Sequence, residues 1–470
     1  MTDDDAHLVS SGVDAAKRKL LESMPDALKR RLVGPYNRVL TAKGNRAYRN
    51  RQQSLPKRTP SADAPDHVVC VVVDALRADV VTAEDSPFLA DRLWGDLVTP
   101  APWTFPAVTS LVTGEYPHEH GSIRQSDESD TGATDLVIPP KLPDDRETLP
   151  DVFGSAGYET YGGFAFHMPF FALGGRFATH ALYDDAPADT LVDDYLDWAD
   201  AQSGKTFSYL HLADLHEPVD PPAPYWGRYE VDASIPNLKT WDYTETAEAG
   251  PDGRRYRTNR KQLYRAALAF VDDELGRLFY NLKERLDGDV ALVVTGDHGE
   301  AFWEHTAFDA AHFADSRPAY CVDHGGTPYE SLTRVPLAVD GFDFALPDGG
   351  TPSLIDLTPS LLDGAGLDEA LETTGTSLVS GVPTDRVTLV ESARYGHEKK
   401  AAYFDGWKLT VSKGDDQSVG FALPAEEPTT LPEVVERRLT EALPAWPNGE
   451  HADVRVSGMA QQRLEDLGYV

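Results

Sequence analysis

Four residues of this chain have the chemistry and placement to share one divalent cation: Asp74, Thr104, Asp297 and His298. Asp74 ends the run Val71-Val72-Val73, and Asp297 and His298 follow a second apolar run, Asp289 to Thr295. Thr104 lies in Trp103-Thr104-Phe105-Pro106, a proline-punctuated turn ahead of a helix. Two carboxylates, a hydroxyl and an imidazole suit Ca²⁺, Mg²⁺ or Mn²⁺, and Zn²⁺ is compatible. A free hydroxyl is a weak nucleophile at neutral pH; coordination lowers its pKa and holds it for attack. Taken singly, each residue has an ordinary role as helix cap or turn residue. Together they carry weight because the same edge of one sheet would gather them.

The elements that must do the gathering are legible. Val68 to Val73 is continuously apolar rather than alternating, the pattern of a parallel strand buried on both faces. Further strands are expected at Tyr158–Phe166, Thr206–Leu212, Asp289–Thr295 and Val335–Val339. Helices are expected from Thr109, and over Thr148–Ala156, Asp189–Ala201, Lys261–Leu282 and Leu354–Leu362. Strands alternating with helices, with polar residues at the strand ends, describe an open α/β sheet, which binds ligands at its carboxyl edge. Ser122 to Asp145 reads as a surface loop and residues 219–258 as an excursion over the site. Ala401–Val411 and Ser418–Leu423 suggest a small β-hairpin unit, and Leu431 to Val470 mostly helix.

Residues 1–65 differ from the rest. Val13–Val33 has helical spacing and a basic face (Lys17, Arg18, Lys19, Lys29, Arg30, Arg31), a second basic stretch runs from Arg38 to Arg58, and Ser61–Asp66 is a linker. The segment is expected to pack on the acidic remainder; docking to an acidic partner or a membrane surface is the alternative. Residues 66–395 would be the catalytic domain and 396–470 a C-terminal subdomain.

Composition narrows the setting. The 470 residues carry a formal net charge of −34. The acids are spread over nearly every segment, which argues against an acidic tail, and the aliphatic runs argue against disorder. A surface adapted to high salt, where bulk ions screen self-repulsion, accounts for the charge, so a halophilic source is expected. Such a surface repels nucleic acid. Two cysteines form no disulfide framework, and Cys70 reads as a core residue. With no apolar run of membrane length and no secretory leader, a soluble cytoplasmic protein is expected.

Several segments resemble the sulfatase family of the alkaline phosphatase superfamily: Asp74-Ala-Leu-Arg-Ala-Asp79, Thr104-Phe-Pro106 through Thr113-Gly-Glu-Tyr-Pro117-His-Glu-His-Gly121, Gly157-Tyr-Glu-Thr160, Gly296-Asp-His-Gly-Glu300 with Glu304-His305, and Tyr329-Glu330 with Arg334-Val-Pro-Leu337. The resemblance runs from about Asp66 to Val411, and Arg463-Leu-Glu-Asp-Leu-Gly468-Tyr is similar to the family's common C-terminus. It implies a three-layer α/β/α sandwich with a mostly parallel sheet. It implies that Asp74, Asp297 and His298 bind metal, that Thr104 is the nucleophile and a further metal ligand, and that His167, His216 and His324 contact substrate or leaving group. Asp214 with His216 and His324 could instead hold a second metal, as in two-metal relatives. His305, His312 and His397 are expected to be structural.

The departures redirect the chemistry. The family has Cys or Ser, oxidised to formylglycine, where this chain has Thr104, and Val108 stands where the family has Arg. Ala75 replaces a paired acid and Ala165 a lysine. Threonine cannot give the aldehyde, so the expectation is a metal-dependent hydrolase with a threonine nucleophile. Phosphate esters are favoured over sulfate esters, of a small molecule or a glycan. A transferase of phospho-groups to glycan or lipid head groups, and a degenerate anion- or glycan-binding protein, are the alternatives.

Overall fold

The computed structural model describes residues 26–123, 137–241, 251–317, 319–446 and 454–455. Seven strands form its central sheet: β1 (His67–Val73), β2 (Leu93–Val98), β3 (Glu159–Phe164), β4 (Thr179–Leu182), β5 (Thr206–Leu212), β6 (Val290–Gly296) and β7 (Arg334–Asp340). Their spatial order is β2-β7-β6-β1-β5-β3-β4. β1 lies between β5 and β6, parallel to both, with His67 opposite Thr206 and Val290. All seven of its residues are buried, which is why its sequence is continuously apolar from Val68 to Val73 rather than alternating. β7 runs antiparallel to both β6 and β2, the reversed strand of a mostly parallel sheet. Helices cover both faces of this α/β/α arrangement; Ala188–Asp200 packs on Pro251–Arg285, and Thr104–Thr113 on His167–Leu173.

The helix expected from Thr109 begins at Thr104, so Thr104 is its first residue rather than part of a preceding turn. Pro106 falls in the first turn, where the missing N–H has no intrahelical partner to lose. The long helix starts at Pro251 rather than Lys261, and Ala223–Arg228 is also helical, so the excursion over 219–258 is partly ordered helix; residues 242–250 lie outside the described residues.

The C-terminal unit is larger than the expected hairpin. β8 (Thr388–Val390), β9 (Lys399–Phe404), β10 (Trp407–Ser412), β11 (Gln417–Ala422) and β12 (Glu427–Thr429) form an antiparallel meander whose first strand precedes residue 396. Within Leu431–Val470 the helix is Glu433–Ala442; Val454–Arg455 pairs instead with Val137–Ile138, giving the Ser122–Asp145 loop a short strand. The remainder of that stretch beyond residue 446 lies outside the described residues.

Residues 1–25, with most of the expected Val13–Val33 helix, also lie outside the described residues. The second basic stretch lies in a single helix, Asp26–Gln52, which runs through Pro35 and ends before Lys57 and Arg58. It packs on the β4 edge: Asn37 Nδ2 donates to Leu182 O (3.3 Å), and the His180 N–H donates to Asn45 Oδ1 (3.0 Å). Arg51 is buried and donates to Asp151 Oδ1 (2.6 and 3.0 Å) and Gly175 O (2.7 Å). Cys70 and Cys321 are buried free thiols. Among the described residues no helix is long and apolar enough to cross a membrane.

Candidate active site

The chain leaves β1 and β6 side by side, which brings Asp74 and Asp297 together. Ala75, just after Asp74, has φ +60°, a left-handed conformation costing a non-glycine residue about 1–2 kcal/mol. It is held there by Tyr264, whose hydroxyl donates to Ala75 O (2.6 Å), and by Asp297 Oδ1, which accepts from the Ala75 N–H (3.3 Å). A Cβ on Gly296 would lie 2.6 Å from Leu76 O, and one on Gly299 2.0 Å from Ser331 O. The Gly-Asp-His-Gly spacing is therefore a requirement of close backbone approach on both sides of Asp297 and His298.

His298 Nδ1 donates to Gly299 O (2.8 Å), so Nε2 is the nitrogen turned to the carboxylates, 3.3 Å from Asp74 Oδ1 and 3.6 Å from Asp297 Oδ2. Thr104 Oγ1 stands 3.3 Å from Asp74 Oδ2 and 3.3 Å from His298 Nε2. All four residues are buried. Thr104 is also the first residue of a ten-residue helix, so its hydroxyl sits at the positive end of the helix dipole.

These residues fit a divalent cation. Asp74 Oδ1 and Asp297 Oδ2 are buried and lack hydrogen-bond partners. Burial opposes the charge on Asp74, yet His216, His298 and His211 hold it well below the usual carboxylate range. Burial and the Asp74 charge push Asp297 up. Two carboxylates that compete in this way for one neutralising charge are a natural cation cradle. Ligand atoms of Asp74, Asp297 and His298 lie within 4.8 Å of one another.

A further residue, His211, joins the site without a signal of its own in the sequence. It sits inside β5, opposite Val72, in a stretch that reads as an apolar strand. Its Nε2 is 3.0 Å from Asp74 Oδ2 and its Nδ1 2.9 Å from Tyr209 Oη. Burial keeps the Tyr209 proton in place, so the phenol donates to Nδ1 and Nε2–H donates to Asp74. A histidine one residue from the end of an apolar strand, in a sheet whose neighbouring strands end in ligands, is the available clue.

The other expected residues divide. His216 and His324 join the site: their rings are 4.9 Å apart, and the His324 ring stacks on His298 at 4.5 Å. His216 Nδ1 donates to Glu217 O (2.7 Å), Phe166 stacks on it, and burial lowers its pKa to about 4. His167 is buried at the start of the helix after β3, where its Nε2 meets Asn37 Oδ1 of the N-terminal helix (2.9 Å). Asp214 is not placed with His216 and His324 as a ligand group: its Oδ1 accepts from the Ala188 N–H (3.1 Å), at the start of the Ala188–Asp200 helix. The second cluster is instead Glu300, Asp323 and His324. His305 pairs with Glu426 (3.0 Å) and His312 Nδ1 with Phe308 O (2.8 Å).

The sulfatase profile matches residues 67–367, well over half of the chain. The chain belongs to the sulfatase family. The sulfatase YidJ of Escherichia coli, itself uncharacterised, is 26% identical over 158 residues, an alignment spanning 33% of this chain and 28% of that protein. A solved structure holding its substrate D-glucosamine-2-N,6-O-disulfate shares the fold with TM-score 0.56 and 15% identity, over 86% of this chain and 96% of that one. The phosphonate monoester hydrolase of Silicibacter pomeroyi shares it with TM-score 0.54 and 17% identity, over 76% and 89%.

Proposed function

We propose that this sulfatase-family chain is a metal-dependent hydrolase that cleaves an anionic ester through Thr104, with phosphate esters preferred to sulfate esters. The observation that carries the reading is the position of the Thr104 hydroxyl, 3.3 Å from both Asp74 Oδ2 and His298 Nε2 at a buried helix N-terminus. Asp74, Asp297 and His298, with Thr104 as a further donor, would hold the cation, which supplies positive charge that acidifies the hydroxyl and offsets charge on the ester oxygens.

In this reading Thr104 Oγ1 forms a bond to phosphorus while the bond from phosphorus to the ester oxygen breaks. The hydroxyl proton ends on the departing alcohol, and water then cleaves the threonine ester to release phosphate. His324, stacked on His298, and His216 beside it would contribute orientation and charge balance, the main protein contribution in phosphoryl transfer. Thr104 stands where the formylglycine precursor would be, which is why phosphate is favoured. Relatives of this fold include both a phosphonate monoester hydrolase and a protein that binds a sulfated glucosamine, so the substrate is proposed as a small-molecule or glycan ester. A halophilic source and a cytoplasmic location are proposed from the charge and the two free thiols.

The test is a side-by-side assay of aryl phosphate, phosphodiester, phosphonate and sulfate esters at molar salt, with intact-mass analysis of acid-quenched enzyme. Phosphoryl substrates should turn over fastest, with one phosphoryl group on the peptide containing Thr104. Faster sulfate turnover, or an adduct elsewhere, would overturn the proposal.

A further inference from the structure

A second group of buried ligands stands beside His298. A two-residue antiparallel ladder sets Ala301 opposite Asp323 and Phe302 opposite Val322. Continuing that register brings Glu300 beside His324, and ligand atoms of Glu300, Asp323 and His324 lie within 4.8 Å of one another. His324 Nδ1 is 2.7 Å from Asp323 Oδ1 and 3.8 Å from Glu300 Oε1, the latter too long for a hydrogen bond. Glu300 is 1% exposed, and neither of its carboxylate oxygens has a hydrogen-bond partner.

Three carboxylates and two arginines surround this group. Glu217 adds a third buried carboxylate close enough to feel the charges of Asp323 and Glu300, its Oε2 accepting from the Trp241 N–H (2.7 Å). Arg317 reaches Asp323 Oδ2 only at 3.4 Å and is otherwise engaged with Asp315. Arg260 spends its Nη1 on Leu238 O and Lys239 O. A buried carboxylate without a hydrogen bond is too costly to keep as an anion unless a cation meets it.

We propose that Glu300, Asp323 and His324 form a second divalent-cation site. Two carboxylates and an imidazole are a mixed oxygen and nitrogen set, suited to Mn²⁺ or Zn²⁺. The site differs from the Asp214, His216 and His324 set expected from two-metal relatives, because the ligand atoms found together are those of Glu300, Asp323 and His324. The inference does not depend on Thr104 as nucleophile.

The experiment is equilibrium dialysis of the chelator-stripped full chain against Mn²⁺, with bound metal counted by elemental analysis and folding checked by circular dichroism. Wild type is expected to bind two ions, Glu300→Gln one, Asp297→Asn one and the double variant none. Asp323→Asn covers the case in which Glu300→Gln does not fold, since asparagine tolerates the φ of +60° found at Asp323. One ion in wild type, lost in Asp297→Asn and kept in Glu300→Gln, overturns the second site and leaves the first. One ion lost only in Glu300→Gln or Asp323→Asn upholds the second site and overturns the first. Two ions in every variant overturns the assignment.

Discussion

Replacing His211 tests how the Asp74 cradle is organised. His211 Nε2–H donates to Asp74 Oδ2 at 3.0 Å, which leaves Oδ1 to face a cation. His211→Phe fills the space but removes the donor, and only the Thr104 hydroxyl, at 3.3 Å, then remains on Oδ2. A hydrogen bond to a charged group contributes about 1.5–3 kcal/mol, and losing a partner that orients a ligand typically weakens metal binding about 10–100-fold. His211→Phe should therefore bind Mn²⁺ about 10–100-fold more weakly, measured by competition with a chelating dye. It also strips the Tyr209 hydroxyl of its acceptor, so Tyr209→Phe is the control: it removes that hydroxyl, keeps Nε2–H on Asp74, and should leave affinity within a few-fold. A folded His211→Phe protein with wild-type affinity would refute the argument that Asp74 needs this donor.

Other expectations are checked as directly. Thr104→Val is nearly isosteric and forfeits only two long hydrogen bonds, so the unfolding free energy should fall by less than about 1 kcal/mol. Turnover should nevertheless fall by about 10⁴-fold or more, and residual activity within tenfold of wild type would remove Thr104 as nucleophile. Asp151 is buried between Arg51 and Arg176; Asp151→Asn strands both guanidinium groups and should cost about 3–5 kcal/mol in urea unfolding. Burial raises Asp214 from 3.8 to about 7, so the folded state holds the extra proton and stability falls as pH rises across that interval. Asp214→Asn should flatten the decline between about pH 4 and pH 7; an unchanged slope would count against it. With a net charge of −34, the thermal midpoint should drop when molar salt is replaced by dilute buffer, and an unchanged midpoint would remove the halophile reading.

The strand-end residues are legible because period and position agree: Asp74, Asp297 and His298 each follow an apolar run that reads as a buried strand. His211 is hidden by the same logic, since a single polar residue within Thr206–Leu212 does not disturb an apolar pattern. Glu300 and Asp323 are harder still. Their meeting depends on a two-residue ladder and on left-handed backbone at Cys321 and Asp323, which no local propensity announces. Thr104 lies beside Asp74 as expected but in a helix rather than a turn, because Pro106 suggests a turn as readily as a first helical turn. The Asp26–Gln52 helix, carrying Gly34 and Pro35, is stabilised by distant partners such as Leu182 and Asp151 rather than by its own propensity.

The central place of β1 also sets a constraint on the order of synthesis. Its first residue pairs with Thr206, 139 positions later, and its other neighbour, β6, comes later still. At about 5–20 residues per second, the His-Val-Val-Cys-Val-Val-Val segment waits roughly 7–28 s for its first strand partner. During that interval it is a short, uncharged, β-prone stretch of the kind that self-associates. The acids and bases on either side, Asp63 and Asp66 before it and Asp74, Arg77 and Asp79 after it, flank it with charge while the nascent chain is still incomplete.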